Sequence, residues 1–148
     1  MEIIMEAYVE QRIKDSFARQ AAMATIGASI TSVEHGAVTI ELPFRPDLTQ
    51  QHGFFHAGVV TMIVDTACGY AALTQMPASA AVLTVEYKVN FLSPATGEKL
   101  IARGRVLKPG RTLVVCLGEV HAISDSEEKL VAAMLATMIA REETGLAD

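Results

Sequence analysis

The run from Ala57 to Met76 constrains this chain more than any other stretch, because it is mostly apolar around the whole helical circumference and yet holds Asp65 in its middle. A helix that is hydrophobic all round has to be surrounded, either by lipid or by protein. The run is nearly long enough to span a bilayer. A carboxylate at the bilayer centre would cost roughly 3 kcal/mol or more, and Gly69 and the many alanines leave the run poor in bulky side chains. The choice therefore falls on protein, with no membrane association expected. The rest of the chain must wrap this helix, which Pro77 closes.

The remaining segments supply a wrapping. Residues from about Glu2 to Ala22 form a charged amphipathic stretch, with Ile3, Ala7, Ile13, Phe17 and Ala21 near one face, and predict an N-terminal helix. Thr25 to His35 predicts a first strand. After Gly36, Val38, Ile40 and Leu42 alternate with Thr39 and Glu41 as a second. Pro43 and Pro46 open a loop that runs from Phe44 to Phe55. Beyond the apolar helix, Leu83, Val85, Tyr87, Val89 and Phe91 alternate with Thr84, Glu86, Lys88 and Asn90 at a period of two. Strands are expected next over Leu100–Leu107, Thr112–Ile123 and Leu130–Arg141, linked by Lys108-Pro109-Gly110 and by a polar turn over Asp125–Lys129. Short links favour antiparallel pairing among these last four strands. The order predicts an α+β fold over residues 1–148 as one domain, with a curved antiparallel sheet curled round one long buried helix.

Composition limits what such a domain can do. Of 148 residues, 12 are basic and 17 acidic, for a net charge of −5, so the basic footprint of a nucleic-acid binder is missing. Counted with glycine and without tyrosine, apolar residues make up roughly 56% of the chain, against about 45–50% in ordinary globular domains. The excess needs a subunit interface to cover it. Cys68 and Cys116 both sit in apolar runs and read as buried thiols of a reducing compartment. With Glu2, Glu6 and Glu10 near the start, no export signal is expected, and the expected location is cytoplasmic.

The sharpest chemical feature is His56-Ala57-Gly58 at the start of the apolar helix, with Asp65 inside it. The first amides of a helix lack intrahelical acceptors and attract negative charge. Placed against a thioester carbonyl they could serve as an oxyanion hole, and a carboxylate held in an apolar helix could act as general base on water. A structural reading stands beside this one, in which Asp65 bonds neighbouring backbone and the glycine merely packs. His52 and His56 are four apart, but Gly53 separates them and no third ligand is evident, so no metal is expected. His35 and His121 read as ordinary strand or turn histidines. Neither cysteine has a neighbouring base in sequence, and a Gly-x-Ser-x-Gly elbow is absent.

Gln50, His56-Ala57-Gly58, Asp65, the strand Thr84–Asn90 followed by Leu92-Ser93-Pro94-Ala95, and Lys108-Pro109-Gly110-Arg111-Thr112 together resemble the hotdog thioesterases of the phenylacetic-acid-degradation (PaaI) and thioesterase-superfamily-member-2 type. The resemblance runs from about Thr25 to Ala140. It implies a hotdog fold and hydrolysis of small, medium-chain or aromatic acyl-CoA thioesters, with no cofactor. It places the catalytic carboxylate on Asp65, the carbonyl-binding amide on Ala57 within the triplet His56-Ala57-Gly58, the loop amide side chain on Gln50 or its neighbour Gln51, and the water-positioning hydroxyl on Thr84. Ala57 stands where the family has glycine, and Gln50 where relatives often have asparagine. The family's sites lie between subunits, which implies a homodimer or a homotetramer built as a dimer of dimers. Lys108 and Arg111 could hold the CoA phosphates or simply be a solvated turn. Met62, Tyr70 and Met76 are candidates for the acyl pocket. Two other functions of hotdog proteins, acyl-CoA binding without catalysis and hydration or dehydration of enoyl thioesters, are less well served by these residues.

Overall fold

Helix α1 (Glu2–Arg19) buries Arg12, Ile13 and Ser16, whereas Ile3, Ile4 and Tyr8 of its first turns stay exposed. Of the apolar face expected over residues 2–22, Ile13 and Phe17 meet the core, joined by Val9, whereas Ile3, Ala7 and Ala21 are exposed. The computed structural model describes residues 1–143 and 145–148. Gln20 breaks the helix, and a short α2 (Ala21–Ile26) follows, ending at Gly27 with a left-handed φ of 83°. This moves the start of the first strand from the expected Thr25 to Ser29. The Thr25 hydroxyl bonds back to the Ala21 carbonyl at 2.9 Å, a local bond that lets a β-branched residue sit in a helix.

Six strands form one sheet: β1 (Ser29–Glu34), β2 (Ala37–Pro43), β3 (Ala81–Phe91), β4 (Lys99–Lys108), β5 (Leu113–Ser124) and β6 (Glu127–Arg141). Their order is β1-β2-β4-β5-β6-β3, and every neighbouring pair is antiparallel. β4, β5 and β6 form the expected meander. The last turn is tighter than the expected Asp125–Lys129: only Asp125 and Ser126 turn, at φ 49° and 67°, so β6 starts at Glu127. β3 does not pair with its sequence neighbour β4. It lies at the far edge, on β6. The link after it crosses the end of the sheet, where Leu92 N–H donates to Val131 O and Glu98 N–H to Ile123 O, each at 2.8 Å. Those bonds satisfy backbone groups that a hairpin would otherwise have paired.

Helix α3 (Ala57–Leu73) lies across β2 to β6. His56 caps it, accepting the Gly58 N–H on Nδ1 at 2.8 Å. The helix can sit so close because Gly104 and Gly118 face each other in β4 and β5 beneath it. A Cβ on Gly104 would stand 2.4 Å from the Ala67 carbonyl carbon, and one on Gly118 would stand 2.4 Å from Val64 Cγ2. Ile40, Leu42, Leu100 and Met138 from the sheet close on Ile63 and Leu73 of the helix, all fully buried, at about 1.5–3 kcal/mol for each large side chain removed from water. A six-stranded antiparallel sheet around a buried helix, with helical segments ahead of it, is the α+β hotdog arrangement.

Candidate active site

The open side of α3 faces the edge strand. Ala57, Gly58, Thr61, Met62 and Asp65 form one wall of a cavity of about 450 Å3, and Tyr87, Val89 and Phe91 of β3 form the other. A break in the strand's alternation builds that second wall. Thr84 pairs with Met138, Glu86 with Thr137 and Tyr87 with Ala136, so the register shifts across Val85. Strict alternation would put Thr84 and Tyr87 on opposite faces. With Val85 as an extra residue, Thr84, Tyr87, Val89 and Phe91 share the face of Met138, Ala136, Met134 and Ala132, which looks toward α3.

That phase change aims Thr84 at Asp65. The Thr84 hydroxyl donates to Asp65 Oδ1 at 2.8 Å and also lies 3.4 Å from Met138 Sδ. Asp65 is half-buried, and its burial raises the carboxyl above its ordinary pKa, with the Thr84 bond opposing in part. A carboxylate raised toward neutrality is a better proton acceptor for water than a fully solvated one.

The N-terminal end of the groove is different in kind. The Val59 and Val60 N–H groups bond the His56 carbonyl at 2.9 and 3.1 Å, and the Gly58 N–H is taken by His56 Nδ1. Among the described residues the Ala57 N–H has no acceptor. The His56 ring sits 3.0 Å from where a Gly58 Cβ would be. Asp65 lies eight positions after Ala57, a helical rise of about 12 Å.

The other predicted residues lie elsewhere. Gln50 is folded into its own loop, its Oε1 accepting the His52 N–H at 2.5 Å and the Phe54 N–H at 3.3 Å, and Gln51 is exposed beside it. Lys108 and Arg111 are exposed at the β4–β5 turn, away from the groove lining. Of the acyl-pocket candidates only Met62 lines the groove. Tyr70 and Met76 are buried in the core, where the Tyr70 ring packs at a tilt against Phe17 and its hydroxyl hydrogen-bonds with the Ser16 hydroxyl. Cys116 lies within the core, and burial pushes its thiol up to about 11; Cys68 is shifted further in the same direction. Neither is a thiolate nucleophile at neutral pH. Tyr87, Val89 and Phe91 escaped the sequence reading as a groove wall, because only a register shift reveals which way they point.

The sequence profile of the thioesterase superfamily matches residues 52–129, which take in α3, β3, β4 and β5. A thioesterase family protein from Silicibacter pomeroyi has the same fold, with a TM-score of 0.90 and 51% identity over 91% of this chain and 99% of its own. The PaaI protein of the phenylacetic acid degradation operon of E. coli shares the fold at a TM-score of 0.82, with 20% identity over 93% of this chain and 96% of its own. The 1,4-dihydroxy-2-naphthoyl-CoA hydrolase of Listeria monocytogenes is 25% identical over 119 residues, which is 80% of this chain and 94% of that protein. The chain spans 64% of the length of two archaeal relatives, from Saccharolobus solfataricus and Halobacterium salinarum, which it matches at 32% and 31% identity. By sequence and by fold, this chain belongs to the thioesterase superfamily.

Proposed function

We propose that the chain hydrolyses acyl-CoA thioesters, with Asp65 as general base. The observation that carries this reading is the half-buried Asp65 carboxylate, raised in pKa and held by Thr84, at the base of an apolar groove. Water bound to Asp65 attacks the thioester carbonyl carbon and passes its proton to the carboxylate. The carbonyl oxygen, now negative, is met by the Ala57 N–H. When the C–S bond breaks, the proton on Asp65 goes to the departing CoA sulfur, leaving a free acid and CoA thiol. The groove walls of Met62, Tyr87, Val89 and Phe91 suit small, medium-chain or aromatic acyl groups. Lys108 and Arg111 supply positive charge for the CoA phosphates.

The site is completed by a second copy of the chain. Two observations support this: the rise of about 12 Å between the Ala57 amide and Asp65, and the character of β3. This edge strand of 11 residues exposes Leu83, Val85, Tyr87 and Phe91, an edge that invites pairing with another strand. Pairing β3 with its counterpart brings the Asp65 of one subunit to the Ala57 amide and the Gln50–Gln51 loop of the other, and two such dimers form a tetramer. The free thiols Cys68 and Cys116 suit a cytoplasmic, reducing setting. A thiol-release assay across a panel of acyl-CoAs, run beside light scattering, tests both parts. Turnover by a dimer or tetramer is expected. A stable, active monomer of 15.9 kDa contradicts the shared site, and absence of turnover on the whole panel contradicts the hydrolase.

A further inference from the structure

Three glycines around α3 have evident reasons. Gly104 and Gly118 make room for the helix, and Gly58 lies under the His56 ring. Gly69 has none of these. Its backbone is helical, it lies inside a 17-residue helix, and beyond its chain neighbours and the helix's own backbone no atom comes within 4 Å of where its Cβ would be. Glycine is disfavoured against alanine in a helix interior, so neither local conformation nor packing within the chain accounts for it. Its position does. Gly58, Met62, Asp65 and Gly69 recur at the spacing that stacks residues on one helical face. The first three line the groove, and Gly69 lies on the same helical face one turn beyond the carboxylate. On β3, the half-buried Val82 pairs with Ala140 on the strand face that carries Thr84, and its N–H donates to Asp148 Oδ2 at 2.6 Å.

We infer that the open volume at Gly69 is the far end of the acyl subsite and that the missing side chain there sets the longest or bulkiest acyl group the site accepts. This rests on the thioesterase reading above. A thioester has two arms: the CoA arm carries phosphates and belongs in water, and the acyl arm is the one that gains from an apolar recess beside the reacting carbon. A methyl or isobutyl group at position 69 would stand where the end of that arm lies, and hydrophobic pockets discriminate by about 10–200-fold for one methylene-sized difference.

The test compares wild type, Gly69→Ala and Gly69→Leu on acetyl-, hexanoyl-, decanoyl- and benzoyl-CoA, with kcat/KM and molar mass measured on each preparation. The ratio of kcat/KM for the longest accepted acyl group to that for acetyl is expected to fall about tenfold or more in Gly69→Leu, and by less in Gly69→Ala. If Gly69→Leu fails to fold, the alanine variant decides by the same ratio. An unchanged ratio overturns the inference, as does loss of the oligomer in both variants, which would assign the open volume to a neighbouring subunit. A wild type inactive on every acyl-CoA would instead defeat the thioesterase reading itself, a separate outcome.

Discussion

Helix α3 presents two sides built from the same kinds of small and apolar residue, and they have opposite properties. Toward β4 and β5, Val64, Ala67 and Cys68 press on Gly104 and Gly118 so closely that a single methyl group would collide with the helix backbone or a side chain. Toward β3, Gly58, Met62 and Asp65 border a cavity, and Gly69 has open space beyond its Cα. The first side holds the fold together through close packing, which leaves no room for a ligand. On the second side packing is withheld, and the one carboxylate of the helix sits there, raised by burial and aimed by Thr84. A functional site in a buried helix is thus recognised by where complementarity stops.

Substitutions on the two sides should therefore fail in different ways. Deleting Val85 removes the register shift that places Thr84 on the same face as Tyr87, Val89 and Phe91. One of these two sets must then turn away from α3. Misplacement on this scale is expected to lower kcat/KM about 10²-fold, with a helical and antiparallel circular-dichroism signature retained. Gly104→Ala attacks the packed side. Overpacking typically costs about 1–3 kcal/mol, so a lowered Tm is expected while turnover per folded subunit stays within about twofold. If Gly104→Ala instead lost turnover without losing stability, the division between the two sides would fail.

Smaller effects sharpen the comparison. Thr84→Ala leaves Asp65 in place and removes one hydrogen bond worth roughly 1–1.5 kcal/mol, so kcat should fall about tenfold with KM little changed. Because the Thr84 bond lowers the Asp65 pKa, the acidic limb of the kcat/KM profile should also move to higher pH. Arg111→Ala is expected to raise KM for acyl-CoA about threefold with kcat nearly constant, the mark of lost uniform binding, and to leave acyl-pantetheine substrates alone. Equal loss with both substrates would remove Arg111 from the CoA site.

The packed side of the molecule was more legible in the sequence than the open side, and the reason is physical. Alternation in β2, the apolar run of α3 and the punctuation at Pro77 and Gly110 are local patterns that can be read directly. So is the presence of Asp65 in an apolar helix. The place of β3 at the sheet edge is a long-range outcome, since nothing in the link from Leu92 to Glu98 marks it as crossing past β6 and β5. The register shift at Val85 leaves no trace in a sequence that alternates perfectly through it. Helix α2 was hidden by Thr25, a strand-former by propensity that its own hydroxyl accommodates in a helix. Gln50 could be placed in a loop but not oriented, because its bonds to the backbone of His52 and Phe54 depend on the loop's closed shape.

The central claim, that Asp65 serves chemistry and not packing, is tested most directly by Asp65→Asn, with single-turnover kinetics and thermal unfolding measured on one preparation. Asparagine keeps the shape and can still accept the Thr84 hydroxyl, but it cannot take a proton from water. Turnover is expected to fall about 10²–10⁴-fold. Stability should move the other way. A carboxyl whose pKa is raised on folding contributes stability only below its unfolded pKa, and loses that contribution as pH rises through the folded value. At neutral pH the native Asp65 is therefore a cost that asparagine removes, and the Tm of the variant should equal or exceed that of the wild type. Near-native turnover by a well-folded Asp65→Asn oligomer, or an activity loss that only follows the unfolded fraction, would contradict the account.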